Sequence, residues 1–265
     1  MKFVIIASEK DPAGMNIVKN LKKLNCNVPI HLIKEELIHA ENIDKEINKK
    51  SNADFLIFAS RHKANDTKKT LTVHTIGNFH KADYGGKDKT LVYSNAKVFK
   101  HFFQNLNNTN KNSNSNYLVT MESTHHGPYI EKPCLFIEIG PSETEWKDKN
   151  AGKIIAKTII ESINTIQNIK EKDYKITIGL GGPHYCPNFN EIQLEEKYAI
   201  SFIASSYNFP LNKENITELI KKTKEKVECF LIDWKSFKSE ERSKLLELLK
   251  ESNLEIIKTT DAKIS

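Results

Sequence analysis

The sequence predicts an α/β protein in which helices cover both faces of a mostly parallel, mixed sheet. Short, continuous apolar runs, such as residues 3–7 and 54–60, alternate along the chain with helix-type patterns. Such runs are typical of strands that are buried on both faces, and their alternation with helices favours parallel pairing. A chain of 265 residues can bury a sizeable core, and we expect one domain over residues 1–265.

The predicted elements follow one another in a regular order. Asp11 and Pro12 mark the start of the first helix, as a capping residue and a first-turn proline. The predicted strands are residues 3–7, 28–33, 54–60, 71–76, 117–120, 134–139, 174–180, 198–204, 229–232 and 254–257. The predicted helices are residues 12–24, 43–48, 95–106, 216–226 and 240–251, and a helix after Trp146 whose apolar face includes Ile155 and Ile159.

Two segments are expected to lie outside this pattern. Residues 107–116 are rich in Asn, Ser and Lys, which predicts an exposed polar insertion. Residues 79–89 contain Tyr84-Gly85-Gly86 and predict a mobile loop that covers a site.

The composition indicates a cytoplasmic protein with a basic surface. The chain carries 40 Lys and Arg against 34 Asp and Glu, a net charge of +6, which suits a polyanionic partner. Only Arg61 and Arg242 are arginines, so Arg61 beside His62 is the more informative cation, because its planar fork suits phosphate or carboxylate. Four widely spaced cysteines argue against a disulfide framework or a thiolate zinc knuckle. No apolar run approaches the length of about 18 residues that a membrane span requires.

Three predicted strand ends carry titratable or glycine-rich stretches. They are Ser60-Arg61-His62-Lys63, Glu122-Ser123-Thr124-His125-His126, and Gly181-Gly182-Pro183-His184. Neutral imidazoles accept protons and coordinate zinc near neutral pH, so Glu122, His125 and His126 are candidates for acid/base catalysis or metal binding. A hydrogen-bonded structural histidine pair at a turn is an equal alternative for His125 and His126.

Five histidines lie at or near strand ends and are expected to meet at one edge of the sheet: His62, His74, His125, His126 and His184. With a carboxylate, two or three of them would hold zinc and leave one position open for water. The alternative for any single one is a structural histidine.

The Gly181-Gly182 pair follows a predicted strand, and its amides are candidates for binding a carbonyl oxygen or a phosphate. A tight turn is the alternative. The stretch is not a dinucleotide-binding fingerprint, because His184 stands where that motif needs its third glycine.

Several motifs together resemble the archaeal and plant type of D-aminoacyl-tRNA deacylase. They occur in family order over residues 1 to 205: Ser60-Arg61-His62-Lys63, Leu71-Thr72-Val73-His74 with Gly77-Asn78, Tyr84-Gly85-Gly86, Thr124-His125-His126-Gly127-Pro128, Phe136-Ile137-Glu138-Ile139-Gly140 with Glu145-Trp146, and Gly181-Gly182 with His184-Tyr185 and Pro187. The resemblance implies a zinc-dependent cytoplasmic monomer that hydrolyses the ester joining a D-amino acid to the 3′ end of tRNA, a proofreading step in translation. It also implies a three-layer α/β fold similar to nucleoside phosphorylases and bacterial peptidyl-tRNA hydrolase.

The resemblance also assigns site residues. It implies catalysis by His125, His126 and Glu122, and Zn²⁺ held by His74, His126, Glu138 and His184. The implied substrate-binding residues are Ser60, Arg61, His62, Lys63, Gly77, Asn78, Tyr84, Gly181 and Gly182. The sequence departs from the family pattern at Thr75, Pro183 and Gln193.

Two other classes of function stay open at this point. One is a metal-dependent hydrolase or phosphorylase-like enzyme that acts on a small nucleoside or amide. The other is a non-catalytic module that binds the acceptor stem of tRNA.

Overall fold

The computed structural model describes residues 1–65, 67–169 and 173–263. Ten strands in these ranges form two sheets. The strands are β1 (Phe3–Ser8), β2 (Ile30–Ile33), β3 (Phe55–Arg61), β4 (Thr70–His74), β5 (Leu118–Met121), β6 (Cys134–Gly140), β7 (Lys175–Leu180), β8 (Tyr198–Ala204), β9 (Cys229–Ile232) and β10 (Glu255–Lys258).

The helices in the same ranges alternate with these strands. They are α1 (Pro12–Lys23), α2 (Ile43–Lys50), α3 (Ala96–Asn112), α4 (Glu143–Trp146), α5 (Lys149–Asn164), α6 (Pro187–Leu194), α7 (Lys213–Lys222), α8 (Ser239–Lys250) and α9 (Thr259–Ala262). A short 3-10 turn at Leu37–His39 precedes α2.

The larger sheet has six strands in the order β2-β1-β3-β6-β4-β5. β4 pairs with β6 in the antiparallel sense and with β5 in the parallel sense, so the sheet is mixed and mostly parallel. The second sheet, β10-β9-β7-β8, has four parallel strands. The sequence did not predict this division, because apolar runs identify strands but do not identify their partners.

Alternating residues of the central strands face two different helix layers. Phe3 and Ile5 belong to the core formed with α1, α3 and α5, whereas Val4 and Ile6 pack towards α2. This follows from the two-residue period of a strand. The predicted three-layer α/β class is therefore confirmed, and its likeness to phosphorylases and peptidyl-tRNA hydrolase stays a prediction.

The core between helices and sheet also contains side chains of β8, β9 and α6. This continuity supports the single domain over residues 1–265, which stays a prediction.

Most element predictions agree with the structure to within a few residues, but the predicted insertion at residues 107–116 is wrong in its first half. α3 continues to Asn112. Asn110 is buried, one helical turn beyond the core residue Leu106, and its Nδ2 donates to the carbonyl of Tyr117 at 2.9 Å. The helix extends through this polar tract because an asparagine on its inner face finds a backbone acceptor. Helix α6 was not predicted.

Within the described ranges, no helix combines the length and the apolar character that crossing a bilayer would demand.

Candidate active site

The stretch from Glu122 to His126 joins the two sheets. It leaves β5 and runs beside the ends of β7 and β8. The amide of Ser123 donates to the carbonyl of His184 at 2.8 Å, and the amide of Thr124 donates to the carbonyl of Ile203 at 2.9 Å. The Thr124 hydroxyl in turn accepts from the amide of Ile203 at 3.1 Å. These bonds hold the two adjacent histidines at the junction of the sheets.

The five histidines expected at or near strand ends lie together, as predicted. The ring centroids of His74 and His125 are 4.4 Å apart, and those of His125 and His126 are also 4.4 Å apart. His184 lies 4.9 Å from His125 and 6.2 Å from His62.

The prediction that the cluster lies at one edge of the sheet is wrong. β4 and β5 run opposite to β3 and β6, so their carboxyl ends do not share an edge. The cluster lies over the face of β6, because Glu138 alternates with the core residues Ile137 and Ile139 and so points to the opposite side.

Two buried carboxylates, those of Glu122 and Glu138, contact this histidine cluster. Glu122 Oε2 lies 2.8 Å from His184 Nε2 and 3.1 Å from His62 Nδ1. Glu138 Oε2 lies 3.5 Å from His74 Nε2 and 3.8 Å from His62 Nδ1. Both glutamates have exposed fractions of 3% or less, with values of 1% for Glu122 and 3% for Glu138. Buried carboxylates need such partners, since an unpaired charge is costly in the interior.

The carboxylates set the protonation of His62. Burial disfavours its charged form, but the hydrogen bond to Glu122 and the charges of Glu122 and Glu138 outweigh burial and raise the pKa of His62 to about 9. The pKa of Glu122 lies well below its ordinary value, because hydrogen bonds from His184 and His62 outweigh burial. Burial, reinforced by the charge of Glu122, raises the pKa of Glu138.

The histidine pair has the opposite character. Burial and the neighbouring His74 lower the pKa of His126 to about 3. Burial and the charges of His126 and His74 lower the pKa of His125 well below its ordinary value. Both rings are therefore neutral near pH 7, which is the state that accepts a proton or binds a metal.

Three rings bond a backbone carbonyl through Nδ1, which leaves Nε2 as the nitrogen that faces the cluster. The Nδ1 atoms of His74, His125 and His126 lie 3.1, 2.8 and 2.6 Å from the backbone carbonyls of Thr75, Ser123 and Gly127. Because a carbonyl can only accept, each Nδ1 must carry a proton, and the neutral rings of His125 and His126 then have their lone pairs on Nε2. A backbone carbonyl that fixes the tautomer in this way is common behind metal-binding histidines. The contact with Glu138 and the charges of Glu122 and Glu138 outweigh burial and raise the pKa of His74.

The cluster fits a divalent metal. Three overlapping groups bring ligand atoms within 4.8 Å of one another: His74, His125 and His126; Glu122, His125 and His184; and His62, Glu122 and Glu138. The buried atoms His74 Nε2 and Glu122 Oε1 have no hydrogen-bond partner. The predicted zinc ligands His74, His126, Glu138 and His184 do not form one group among the described residues, because Glu122 rather than Glu138 is the carboxylate next to His184.

A cavity of about 780 Å³ opens above the cluster. His62, His125, His126, His184 and Glu138 line its floor and walls, whereas Glu122 lies beneath the rings and does not reach the cavity. Of the predicted substrate-binding residues, those that line it are Ser60, Arg61, His62, Lys63 and Tyr84.

Arg61 and Ser60 have defined partners at the cavity wall. The Arg61 guanidinium lies 2.8 Å from Glu36 and stacks over Trp146 with 5.6 Å between Cζ and the ring centroid. The Ser60 hydroxyl donates to Asp11 Oδ2 at 3.1 Å.

Gly77 and Asn78 do not line the cavity, so their predicted contact with substrate is not what the structure shows. The Gly77 amide donates to the carbonyl of His126 at 2.9 Å. The Asn78 Nδ2 donates to the carbonyl of Gly85 at 2.9 Å. Both residues hold neighbouring loops in place.

The predicted binding role of the Gly181 and Gly182 amides is wrong. The Gly181 amide donates to the carbonyl of Ala204 at 2.7 Å, and the Gly182 amide donates to Ser236 Oγ at 2.7 Å. Neither glycine lines the cavity. The tight-turn alternative is the correct one, since positive φ angles of 95° and 79° require glycine here.

Two tyrosines contact the histidines and were not among the predicted site residues. The Tyr185 hydroxyl lies 2.9 Å from His62 Nε2. The Tyr207 hydroxyl lies 3.1 Å from His184 Nδ1 and 2.7 Å from Ser123 Oγ. Tyr185 belongs to a motif of the family resemblance, which gave it no role, whereas no motif or spacing distinguished Tyr207 from other loop tyrosines.

Two departures from the family pattern occupy structural positions. Thr75 and Thr124 share a hydrogen bond between their hydroxyls at 2.8 Å. Gln193 is buried and pairs with the backbone of Ile200, accepting from its amide at 2.9 Å. Gln193 therefore lies outside the candidate metal groups.

A cluster of imidazoles with buried carboxylates, at the floor of an open cavity in a three-layer α/β fold, defines a hydrolase-type site able to hold a divalent metal. Residues 49–257 match the family model described as D-aminoacyl-tRNA deacylase. Proteins named D-aminoacyl-tRNA deacylase from Thermococcus onnurineus and Pyrococcus furiosus are each 35% identical to the chain over 275 aligned positions, covering 96% of it and 99% of each relative. The chain belongs to the D-aminoacyl-tRNA deacylase family.

A solved structure has the same fold. The crystal structure of a conserved protein of unknown function, AF0625, matches with a TM-score of 0.91 and 31% sequence identity, covering all of this chain and 97% of that one.

Proposed function

We propose that the chain hydrolyses the ester bond of D-aminoacyl-tRNA and releases the free D-amino acid and tRNA. The observation that carries this proposal is the pair of Nε2 lone pairs on His125 and His126, gathered with His74 and two buried glutamates under an open cavity. Family membership supports the substrate class, and the open cavity above the histidines is where we propose that the substrate binds.

The chain's own residues would carry the proton movements. His125 and His126 are neutral and line the cavity, so the Nε2 of whichever ring does not hold the metal can accept a proton from the attacking water. Glu122 lies beneath the cavity surface and acts by orienting His62 and His184 through its shared Oε2. The cationic His62 places positive charge beside the carbonyl oxygen, where negative charge develops.

Zn²⁺ is the proposed cofactor. The residues that would hold it come from His74, His125 and His126, with Glu122 and His184 as the adjoining group, and one of His125 and His126 does not bind the metal. When bound, zinc would supply a Lewis acid that polarises the ester carbonyl and makes water more acidic.

The 3′ end of tRNA is the proposed partner of the cavity mouth. Lys10, Arg61 and Lys63 lie there and suit the terminal phosphates. Discrimination between D and L forms would come from exclusion, since the walls at Leu37 and Ile38 restrict the direction that the amino-acid side chain can take. We also propose that the protein is a cytoplasmic monomer. Light scattering on the purified chain tests the monomeric state.

A deacylation assay with metal analysis tests the function. The purified chain should hydrolyse D-tyrosyl-tRNA and leave L-tyrosyl-tRNA intact, it should retain about one zinc per chain as a catalytic zinc site requires, and a chelator should abolish its activity. Turnover of free nucleosides or simple amides without tRNA would favour a small-molecule enzyme. Binding of the acceptor stem without hydrolysis would favour a tRNA-binding module.

A further inference from the structure

The ring of Tyr84 is an exposed aromatic surface on the rim of the cavity. Its exposed fraction is 70%, the highest among the large apolar side chains that the structure describes as exposed. Tyr84 lines the cavity together with His125 and His126. In the described part of the chain, no other ring stacks on Tyr84 and no group bonds its hydroxyl. The protein itself therefore gives this ring no packing role.

The backbone that carries Tyr84 is nevertheless tightly fixed. Gly85 and Gly86 pack against Gly127 and the carbonyl of Ile38, in what we call the glycine junction (Ile38, Gly85, Gly86 and Gly127). A Cβ on Gly85 would lie 1.7 Å from the Ile38 oxygen, and one on Gly127 would lie 2.3 Å from the Gly86 nitrogen. The expected mobile cover is thus better described as a fixed rim.

Hydrogen bonds from three directions reinforce the junction. The Gly127 amide donates to the Tyr84 carbonyl at 3.1 Å. Asn78 Nδ2 donates to the Gly85 carbonyl at 2.9 Å, and the Gly86 amide donates to Glu41 Oε1 at 2.6 Å. Because Gly127 directly follows His126, the backbone of Tyr84 is held in a constant relation to the histidine cluster.

We propose that Tyr84 is the stacking platform for the 3′-terminal adenine of the substrate, an inference that rests on the proposed function. The ester carbonyl must reach the imidazoles on the cavity floor, and the ribose is bonded directly to that ester. The base is one glycosidic bond further out, which places it at the rim. A flat, exposed ring on a fixed backbone suits the face of a base.

The amino-acid side chain is a poorer occupant for this ring. A group packed on Tyr84 stays at the solvent edge, whereas excluding the L form requires enclosing walls. Leu37 has an exposed fraction of only 3% and lines the inner cavity, so it suits that purpose better. Tyr84 is thus assigned to the nucleotide half of the substrate.

Two small esters separate the base from the rest of tRNA. The purified full-length chain is assayed on 3′-O-D-tyrosyl-adenosine and on D-tyrosine methyl ester, which has the same acyl group without a base. For Tyr84→Ala we expect KM on the adenosine ester to rise about tenfold, as loss of one stacked base predicts. We expect kcat on that ester, and kcat/KM on the methyl ester, to stay as in the unmodified chain. Tyr84→Phe should behave like the unmodified chain.

Leu118→Ala, an exposed apolar position outside the cavity, is the matched control and should change neither ester. Equal losses of Tyr84→Ala on both esters, or no loss on either, would overturn the platform. If the unmodified chain cleaves neither these esters nor D-tyrosyl-tRNA, the proposed function fails first. Calorimetry with adenosine 5′-monophosphate then decides the platform separately: weaker binding by Tyr84→Ala supports it, and equal binding or none by the unmodified chain refutes it.

Discussion

Glu122 keeps a negative charge in a place where burial alone would neutralise it. Its exposed fraction is 1%, yet its Oε2 is shared by His62, His125 and His184 at 3.1, 3.7 and 2.8 Å. One oxygen therefore fixes the orientation of two rings, those of His62 and His184, while Oε1 has no hydrogen-bond partner. At the scale of single residues, this carboxylate organises the site without reaching the substrate.

Replacing this charge tests that role. Glu122→Gln keeps the side-chain shape but removes the charge that stabilises His62 as a cation. The kcat for D-tyrosyl-tRNA should therefore fall about 100-fold, the lower end of the range for general acid–base catalysis. Single-turnover deacylation measures this, and circular dichroism checks that the variant still folds. Glu131→Gln, at an exposed carboxylate, is the control and should be silent. An unchanged kcat in Glu122→Gln would remove Glu122 from the mechanism.

Asp11 links two elements through one carboxylate. Oδ1 accepts from the amides of Ala13 and Gly14 and so caps α1, at 2.9 and 3.0 Å. Oδ2 accepts from the Ser60 hydroxyl and the Arg61 amide, at 3.1 and 2.9 Å, and so fixes the end of β3. Burial raises the pKa of Asp11 against these bonds. The start of α1 and the wall of the cavity are therefore coupled.

Asp11→Ala should lower the free energy of unfolding by about 3 kcal/mol, because it removes a cap and also leaves the buried Ser60 and Arg61 donors without an acceptor. Urea denaturation measures this. Asn95→Ala provides the comparison, since Asn95 caps α3 through the amide of Val98. Its loss should be about 1 kcal/mol. Equal losses in the two variants would show that the bonds to β3 contribute nothing.

The glycine junction, like Asp11, couples elements that are distant in the sequence. It brings the Tyr84 loop, the 3-10 turn at Leu37–His39 and the loop after His126 into backbone contact. His126 itself has a φ of 45°, a conformation that L residues rarely adopt and that surrounding bonds must stabilise.

Gly127→Ala should lower the free energy of unfolding by about 3 kcal/mol or more and abolish deacylation, because the added Cβ meets only backbone atoms, which cannot move aside. Gly152→Ala is the matched control. Its Cβ would approach the Asn16 side chain at 2.3 Å, but that side chain can rotate. Thermal unfolding and activity are measured for both variants. A Gly127→Ala variant that is as stable and active as Gly152→Ala would contradict the rigidity assigned to the junction.

At the scale of the whole molecule, the sequence predicted the elements better than their assembly. Strand β8 has the predicted ends at Tyr198 and Ala204, because its apolar run is bounded on both sides by polar residues. The division into two sheets and the reversed direction of β4 and β5 depend on long-range pairing, which no local pattern encodes.

The dependence on long-range pairing also explains which features of the site could be predicted from the sequence. The convergence of the five histidines could be predicted from their positions at strand ends. The use of the Gly181 and Gly182 amides by Ala204 and Ser236 could not, because it depends on how the second sheet folds.

Charge position, rather than net charge, should govern the recognition of tRNA. Lys10 and Lys63 are exposed at the cavity mouth, whereas Lys153 and Lys157 are exposed on α5 and do not line the cavity. The double variants Lys10→Gln/Lys63→Gln and Lys153→Gln/Lys157→Gln lose the same net charge. Only the first should raise KM for D-tyrosyl-tRNA at low salt.

The slope of log KM against log KCl concentration should fall by about 1.4 in the mouth variant, since each contact to a single strand contributes about 0.7. It should stay unchanged in the α5 variant. Because kcat depends on the imidazole cluster, it should be the same in both variants. Parallel slopes for the two double variants would mean that the tRNA end does not pass between Lys10 and Lys63, and that the basic surface attracts tRNA only through its total charge.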